Sequence, residues 1–77
     1  MNHPRRKQLE EAFGQIRQAL QEVTNARDDE QDYRDNMPEA FADGEKGDKA
    51  DEVIDALTSV IDETEAAMTE AESAADL

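Results

Sequence analysis

The chain of 77 residues has no cysteine and no tryptophan, one histidine, two prolines, three glycines and 4% aromatic residues. The missing cysteines exclude disulfides, thiolate metal sites and a thiol nucleophile. The single histidine, His3, stands beside Pro4 near the start of the chain, so Ser59, Thr58 and Thr64 have no base near them in sequence other than carboxylates. Without a nucleophile–base constellation, the sequence predicts no enzyme, and paired acids such as Asp62 and Glu63 read as a solvated helix face. No run approaches the roughly 20 apolar residues needed to cross a bilayer. Arg5, Arg6 and Lys7 lead into an amphipathic pattern and not into the apolar core of a signal peptide, so the expectation is a soluble, cytoplasmic protein.

Cofactor and metal motifs are equally scarce. The glycine-rich phosphate-binding patterns are absent, and Gly44 and Gly47 read as turn residues that permit a chain reversal. The stretch DGEKGDKADE has the composition of a calcium loop but lacks its ligand spacing. Met1-Asn2-His3 with a free amine has the chemistry of a copper or nickel chelate, as does any chain with histidine at position three, and reads as an incidental tail. The expectation is therefore no metal and no cofactor.

What the chain has in abundance is acid. Its net charge of −13 is unevenly spread: residues 1–27 hold five Arg/Lys against three Glu, whereas residues 28–77 hold three Arg/Lys against eighteen Asp/Glu. Such a balance repels nucleic acid and anionic membranes and attracts basic surfaces. Three basic residues in RRKQ, without interleaved aromatics, do not outweigh it, so no direct nucleic-acid binding is expected.

Low hydrophobicity with high charge is also a signature of disorder, but periodicity opposes that reading. From Leu9, columns spaced by seven are apolar: Leu9, Ile16 and Val23; Ala12, Ala19, Ala26 and Tyr33; Phe13 and Leu20. A second set holds Ala50, Leu57, Thr64 and Ala71; Val53, Val60, Ala67 and Ala74; Ile54, Ile61, Met68 and Ala75, with no acid in any of its columns. Three adjacent columns in seven make the apolar face of a bundle helix.

The break between the two sets follows from Pro38, which lacks an amide hydrogen and disfavours helical geometry at Met37. The sequence thus predicts one helical domain over 1–77: a helix over about 5–36, a bend over 37–47 and a helix over about 48–75. PEAFAD forms a short helical turn with Pro38 at its first position, Asp43 or Asp48 caps the second helix, and fraying sets in after about Met68. The fold class is all-α: an antiparallel two-helix hairpin with a short helical turn at the bend. Helix packing falls to Phe13, Ile16, Leu20, Val23, Tyr33, Val53, Ile54, Leu57, Val60 and Ile61. Ala12, Ala19 and Ala26 let helices approach closely, and Tyr33 continues their column as a core residue. Gly14 admits another backbone nearby or is simply tolerated. Val53/Ile54 and Val60/Ile61 are adjacent pairs, wider than a two-helix contact needs, and two hairpins joined as a four-helix bundle cover them most simply. A core this thin gains from a second copy.

The antiparallel arrangement sets Arg5, Arg6 and Lys7 beside Glu70, Glu72 and Asp76, where charges compensate. The other end has no such balance. Residues 28–55 carry twelve acids against Arg34, Lys46 and Lys49, a net −9. The candidate partner-binding residues are Asp28, Asp29, Asp32, Asp35, Glu39, Glu45, Asp48, Asp51, Glu52 and Asp55. A tip of about fourteen residues per arm is roughly 21 Å long, over which duplex DNA carries about twelve phosphates. The charge densities are comparable, which permits occupation of a DNA- or RNA-binding channel; the plainer alternative is an acidic face that only solvates.

Residues 28–62, DDEQDYRDNMPEAFADGEKGDKADEVIDALTSVID, resemble a run common in small proteins of bacteriophages and prophages: an acidic helix, an N-M/L-P-E break, a polar turn with EKG and a helix like ADEVIDAL. The matching positions are Asn36, Met37, Pro38, Glu39, Glu45, Lys46 and Gly47; Asp43-Gly44 stands where those proteins often have a serine cap. In size and acidity the chain is similar in character to anti-CRISPR and anti-restriction proteins, several of which mimic DNA. That resemblance implies a non-enzymatic inhibitor in the bacterial host cytoplasm. Its partner would be a protein with a basic nucleic-acid-binding surface, such as a CRISPR or restriction complex. The alternative is a structural or assembly module acting through its apolar stripe, by homodimerisation or by docking a partner helix.

Overall fold

The computed structural model describes residues 2–77, and the chain is all-helical: α1 (His3–Asp35), α2 (Glu39–Ala42) and α3 (Glu45–Ala74), with no strand among the described residues. Asn2 caps α1, its Oδ1 accepting a hydrogen bond from the Arg5 amide at 3.0 Å, and Pro4 occupies the first turn, where no amide hydrogen is needed. At the far end Asn36 closes the helix: its Nδ2 donates to the Asp32 carbonyl at 2.8 Å. Pro38 then takes an extended conformation (φ −56°, ψ 144°) and stands just before α2, as its cap and not as its first helical residue. The Pro38 carbonyl accepts from the amides of Phe41 and Ala42, each at 2.9 Å, which winds the single turn of α2.

Only Asp43 and Gly44 separate α2 from α3. Asp43 closes α2, so the cap of α3 falls to Gly44, and no side chain caps it; the expected caps, Asp43 and Asp48, are not used. Glu45 and Asp48 instead lie in the first turn of α3, where the helix dipole favours negative charge. Gly47 has a role that a turn residue would not. It is buried in the first turn of α3, and a Cβ placed there would stand 2.0 Å from the Ala42 carbonyl oxygen. The missing side chain lets α2 lie directly on α3. Gly14, by contrast, has open space where its Cβ would be, so no second backbone approaches it.

α1 and α3 pack side by side, antiparallel. Arg34 reaches Asp51 near the bend and Arg17 reaches Glu72 farther along, so residue numbers across the hairpin add to between 85 and 89. The reversal is centred near residue 44, beyond the chain midpoint, and the first two turns of α1 run past the end of α3. Arg5, Arg6 and Lys7 therefore do not compensate Glu70, Glu72 and Asp76 as expected: Glu72 pairs with Arg17, and no ion pair among the described residues involves those three cations. The equal arms assumed from sequence placed the ends level; the off-centre bend does not.

The molecule is a rod of 59 × 16 × 12 Å. Its buried apolar residues are Leu20, Ala50, Ile61 and Met68. α3 does not fray after Met68 but continues to Ala74, where Asp76 takes a left-handed conformation (φ 58°) and the Leu77 amide bonds the Glu72 carbonyl at 2.9 Å. This six-residue closure is the Schellman arrangement, with aspartate in the position usually held by glycine.

Candidate functional site

Two surfaces emerge from this geometry. The first is the acidic tip, built from the last two turns of α1, from α2 and from the first three turns of α3. Asp28, Asp29, Asp32, Asp35, Glu39, Glu45, Asp48, Asp51, Glu52 and Asp55 are all exposed there. At 100° per residue, Asp28, Asp32 and Asp35 fall within about 60° of one another on α1. Asp48, Glu52 and Asp55 share the outward side of α3 in the same way. Glu30 departs from this pattern and is half-buried.

The cations of the tip are engaged inside it. Arg34 lies across the hairpin, its Nε donating to Asp51 Oδ1 at 2.9 Å and its Nη2 to Asp51 Oδ2 at 3.4 Å, a bidentate fork. This hydrogen bond raises the Arg34 guanidinium above its ordinary pKa, opposed by desolvation and helped by the charges of Asp51, Asp43 and Asp35. Lys46 places Nζ 4.5 Å from the centre of the Phe41 ring, and Lys49 lies 3.6 Å from Glu52. Arg27 pairs with Asp28 at 3.3 Å, and Asp35 accepts from Gln31 at 2.9 Å. Asp29, Asp32, Glu39, Glu45, Asp48 and Asp55 make no ion pair among the described residues. Beside these acids, at the bend, Tyr33, Met37, Pro38 and Phe41 line an open cleft of about 300 Å³ with Asp32 and Lys46 on its rim. Nothing in the spacing of the sequence announced the Arg34 fork or the Lys46–Phe41 contact. Arg34 sits seven residues after Arg27, and both continue the column of Phe13 and Leu20, whose apolar run stops at Leu20.

The second surface is apolar. Two grooves run between α1 and α3 and share the buried Met68. One, of about 420 Å³, has a mixed lining, with Leu20 at its base and Arg17, Gln21, Thr24, Glu65, Thr69 and Glu72 around it; it lies outside the apolar surface. The other, of about 400 Å³, is walled by Phe13, Ile16, Thr64, Ala67 and Ala71, with Glu63 at its edge. Of the expected packing residues, Leu20 and Ile61 are buried, and Phe13, Val23, Val53, Ile54 and Leu57 are half-buried. Ile16, Tyr33 and Val60 are 39%, 53% and 48% exposed. Ala12, Ala19 and Ala26 are exposed, as is Tyr33, which was expected in the core, so this column lies outside the α1–α3 contact. α1 turns Leu20, Thr24, Arg27 and Arg34 toward α3 instead, and the hydroxyl of Thr24 is satisfied by the Leu20 carbonyl at 2.9 Å.

Among the described residues, no group of three or more His, Asp or Glu is arranged to hold a metal ion, and no helix is long and apolar enough to cross a membrane. Met1, part of the copper- or nickel-chelating tail considered from the sequence, lies outside the described residues. No family model, curated protein or solved structure matches the chain.

Proposed function

We propose that the protein is a non-enzymatic, phage-derived inhibitor that binds a nucleic-acid-handling defence complex in the bacterial cytoplasm. Its acidic tip competes for the partner's basic DNA-binding surface. The supporting observation is the disposition of charge at the tip: all ten candidate carboxylates are exposed, while Arg34, Lys46 and Lys49 are tied to Asp51, Phe41 and Glu52. A surface of that kind attracts a cationic channel from a distance and orients the encounter. No nucleophile, cofactor or metal is needed for such an action, since the work is steric and electrostatic.

The test is displacement of labelled DNA from purified CRISPR and restriction complexes by the intact protein. The expected result is competition that weakens as salt rises and disappears when Asp28, Asp29, Asp32 and Asp35 are all changed to lysine. Inhibition left unchanged by that reversal would sink the mimicry.

The exposed apolar groove supports a second reading, an assembly module in which the acids keep tips apart and the stripe covers itself with another helical surface. Ile16 and Val60 carry it, because a chain with so few buried residues leaves both of them more than one-third exposed.

A further inference from the structure

From the charge distribution along the rod we infer that the apolar face is covered by a second copy of this chain in antiparallel orientation, the tip of each copy lying beside the first turns of α1 of the other. This deepens the assembly reading and stands or falls independently of the inhibitor reading.

Charge decides the orientation. A parallel pair would lay one tip of net −9 beside another. An antiparallel pair brings each tip instead to Arg5, Arg6 and Lys7, which extend past the end of α3 and make no ion pair among the described residues of their own chain. Arg5 and Lys7 are exposed, while Arg6 is half-buried, its Nε buried without a hydrogen-bond partner among the described residues. Like charges held side by side oppose association, and opposite ones fix its register.

The exposed residues fit that register. Arg5 begins the outward column that continues through Ala12, Ala19, Ala26 and Tyr33. Inverting the column about Ala19 sets Ala12 against the partner's Ala26 and Arg5 over the partner's Tyr33, a guanidinium on an aromatic face. Given the hairpin register, the same operation carries α3 onto its copy about Thr69. Ala67 then meets the partner's Ala71, and Val60 comes to the level of the partner's Leu77. Val60, Tyr33 and Leu77 are among the exposed large apolar residues.

The experiment uses the full chain, whose lack of cysteine makes single-cysteine variants clean probes. Sedimentation equilibrium should show a dimer; a monomer at every concentration up to the millimolar range overturns the pairing and leaves the assembly reading only its docking of a different partner helix. For orientation, Ala12→Cys and Ala26→Cys proteins are oxidised separately and mixed. The expected product is a disulfide between the two variants, formed only in the mixture. Crosslinking of either variant with itself overturns the antiparallel arrangement while leaving the assembly reading intact. Reversing Arg5 and Lys7 to glutamate should weaken the dimer about tenfold or more, as several rim charge contacts change sign. An unchanged dissociation constant overturns the charge argument.

Discussion

Replacing Gly47 by alanine is the most exacting test of the bend, because helix propensity and packing predict opposite signs. In an ordinary helix interior the change stabilises by about 1 kcal/mol. Here the new Cβ would stand 2.0 Å from the Ala42 oxygen, 2.7 Å from its carbonyl carbon and 3.0 Å from its Cα. An ordinary C···O approach is about 3.3 Å, so α2 would have to withdraw by roughly 1.3 Å. None of the three atoms belongs to a flexible side chain, and α2 is held at both ends by Pro38 and by the Asp43–Gly44 connection. Overpacking of this kind costs about 1–3 kcal/mol, which outweighs the propensity gain at most of that range. The expected net loss is about 0–2 kcal/mol, each kcal/mol lowering Tm by roughly 4–8 °C for a domain of this size. Gly14→Ala supplies the control, since open space surrounds that position and only propensity acts. It should raise Tm by several degrees. Both are read by circular dichroism at 222 nm during thermal and urea unfolding, at one fixed protein concentration, because association would shift both curves. If Gly47→Ala matched Gly14→Ala in raising stability, α2 would not lie on α3 and the account of the bend would be wrong.

Two further outcomes follow from the ends and the charge. Asp76→Gly should stabilise by about 0.5–1 kcal/mol, since glycine adopts the left-handed conformation freely and the change removes a negative charge from a helix C-terminus; equal or lower stability in urea titrations would count against the Schellman closure. Raising sodium chloride from 10 mM to 0.5 M should raise Tm, because a chain of net charge −13 repels itself and salt screens that repulsion; a fall in Tm would mean that ion pairs such as Arg34–Asp51 outweigh it.

Much of the fold was legible in periodicity and in one proline. The heptad columns mark both long helices, and Pro38 locates the end of α1 to within a residue of where Asn36 closes it. The columns did not reveal which side of a wide stripe faces α3. Ala12, Ala19, Ala26 and Tyr33 are as apolar as an interior seam, yet α3 meets α1 along Leu20, Thr24, Arg27 and Arg34. Near the bend a long guanidinium can lie across the partner helix and end on a carboxylate, so a polar residue serves at an inward position. The function of Gly47 was hidden for a related reason: sequence shows glycine as freedom of the backbone, while here its φ is ordinary and only the absence of Cβ matters. The outward display of the candidate carboxylates on α1 and α3 was readable, since each of these lies off the apolar columns. Their engagement with Arg34 and Lys49 depends on rotamers and cross-hairpin register, which no local pattern encodes.

The off-centre bend bears finally on how the chain finds its shape. Arg34 and Asp51 are seventeen positions apart, and Arg17 and Glu72 fifty-five. Once the first pair has met, however, the second has only a short loop of slack left to close, so the entropic penalty of its long separation is never met in a single step. Assembly can run outward from the reversal like a closing zip, with each turn of α3 presenting the next to α1. The slow part of the search is then confined to the segment around Pro38 and Gly47. Changes there should alter the speed of folding, while changes toward the base should act chiefly on how readily the arms part again.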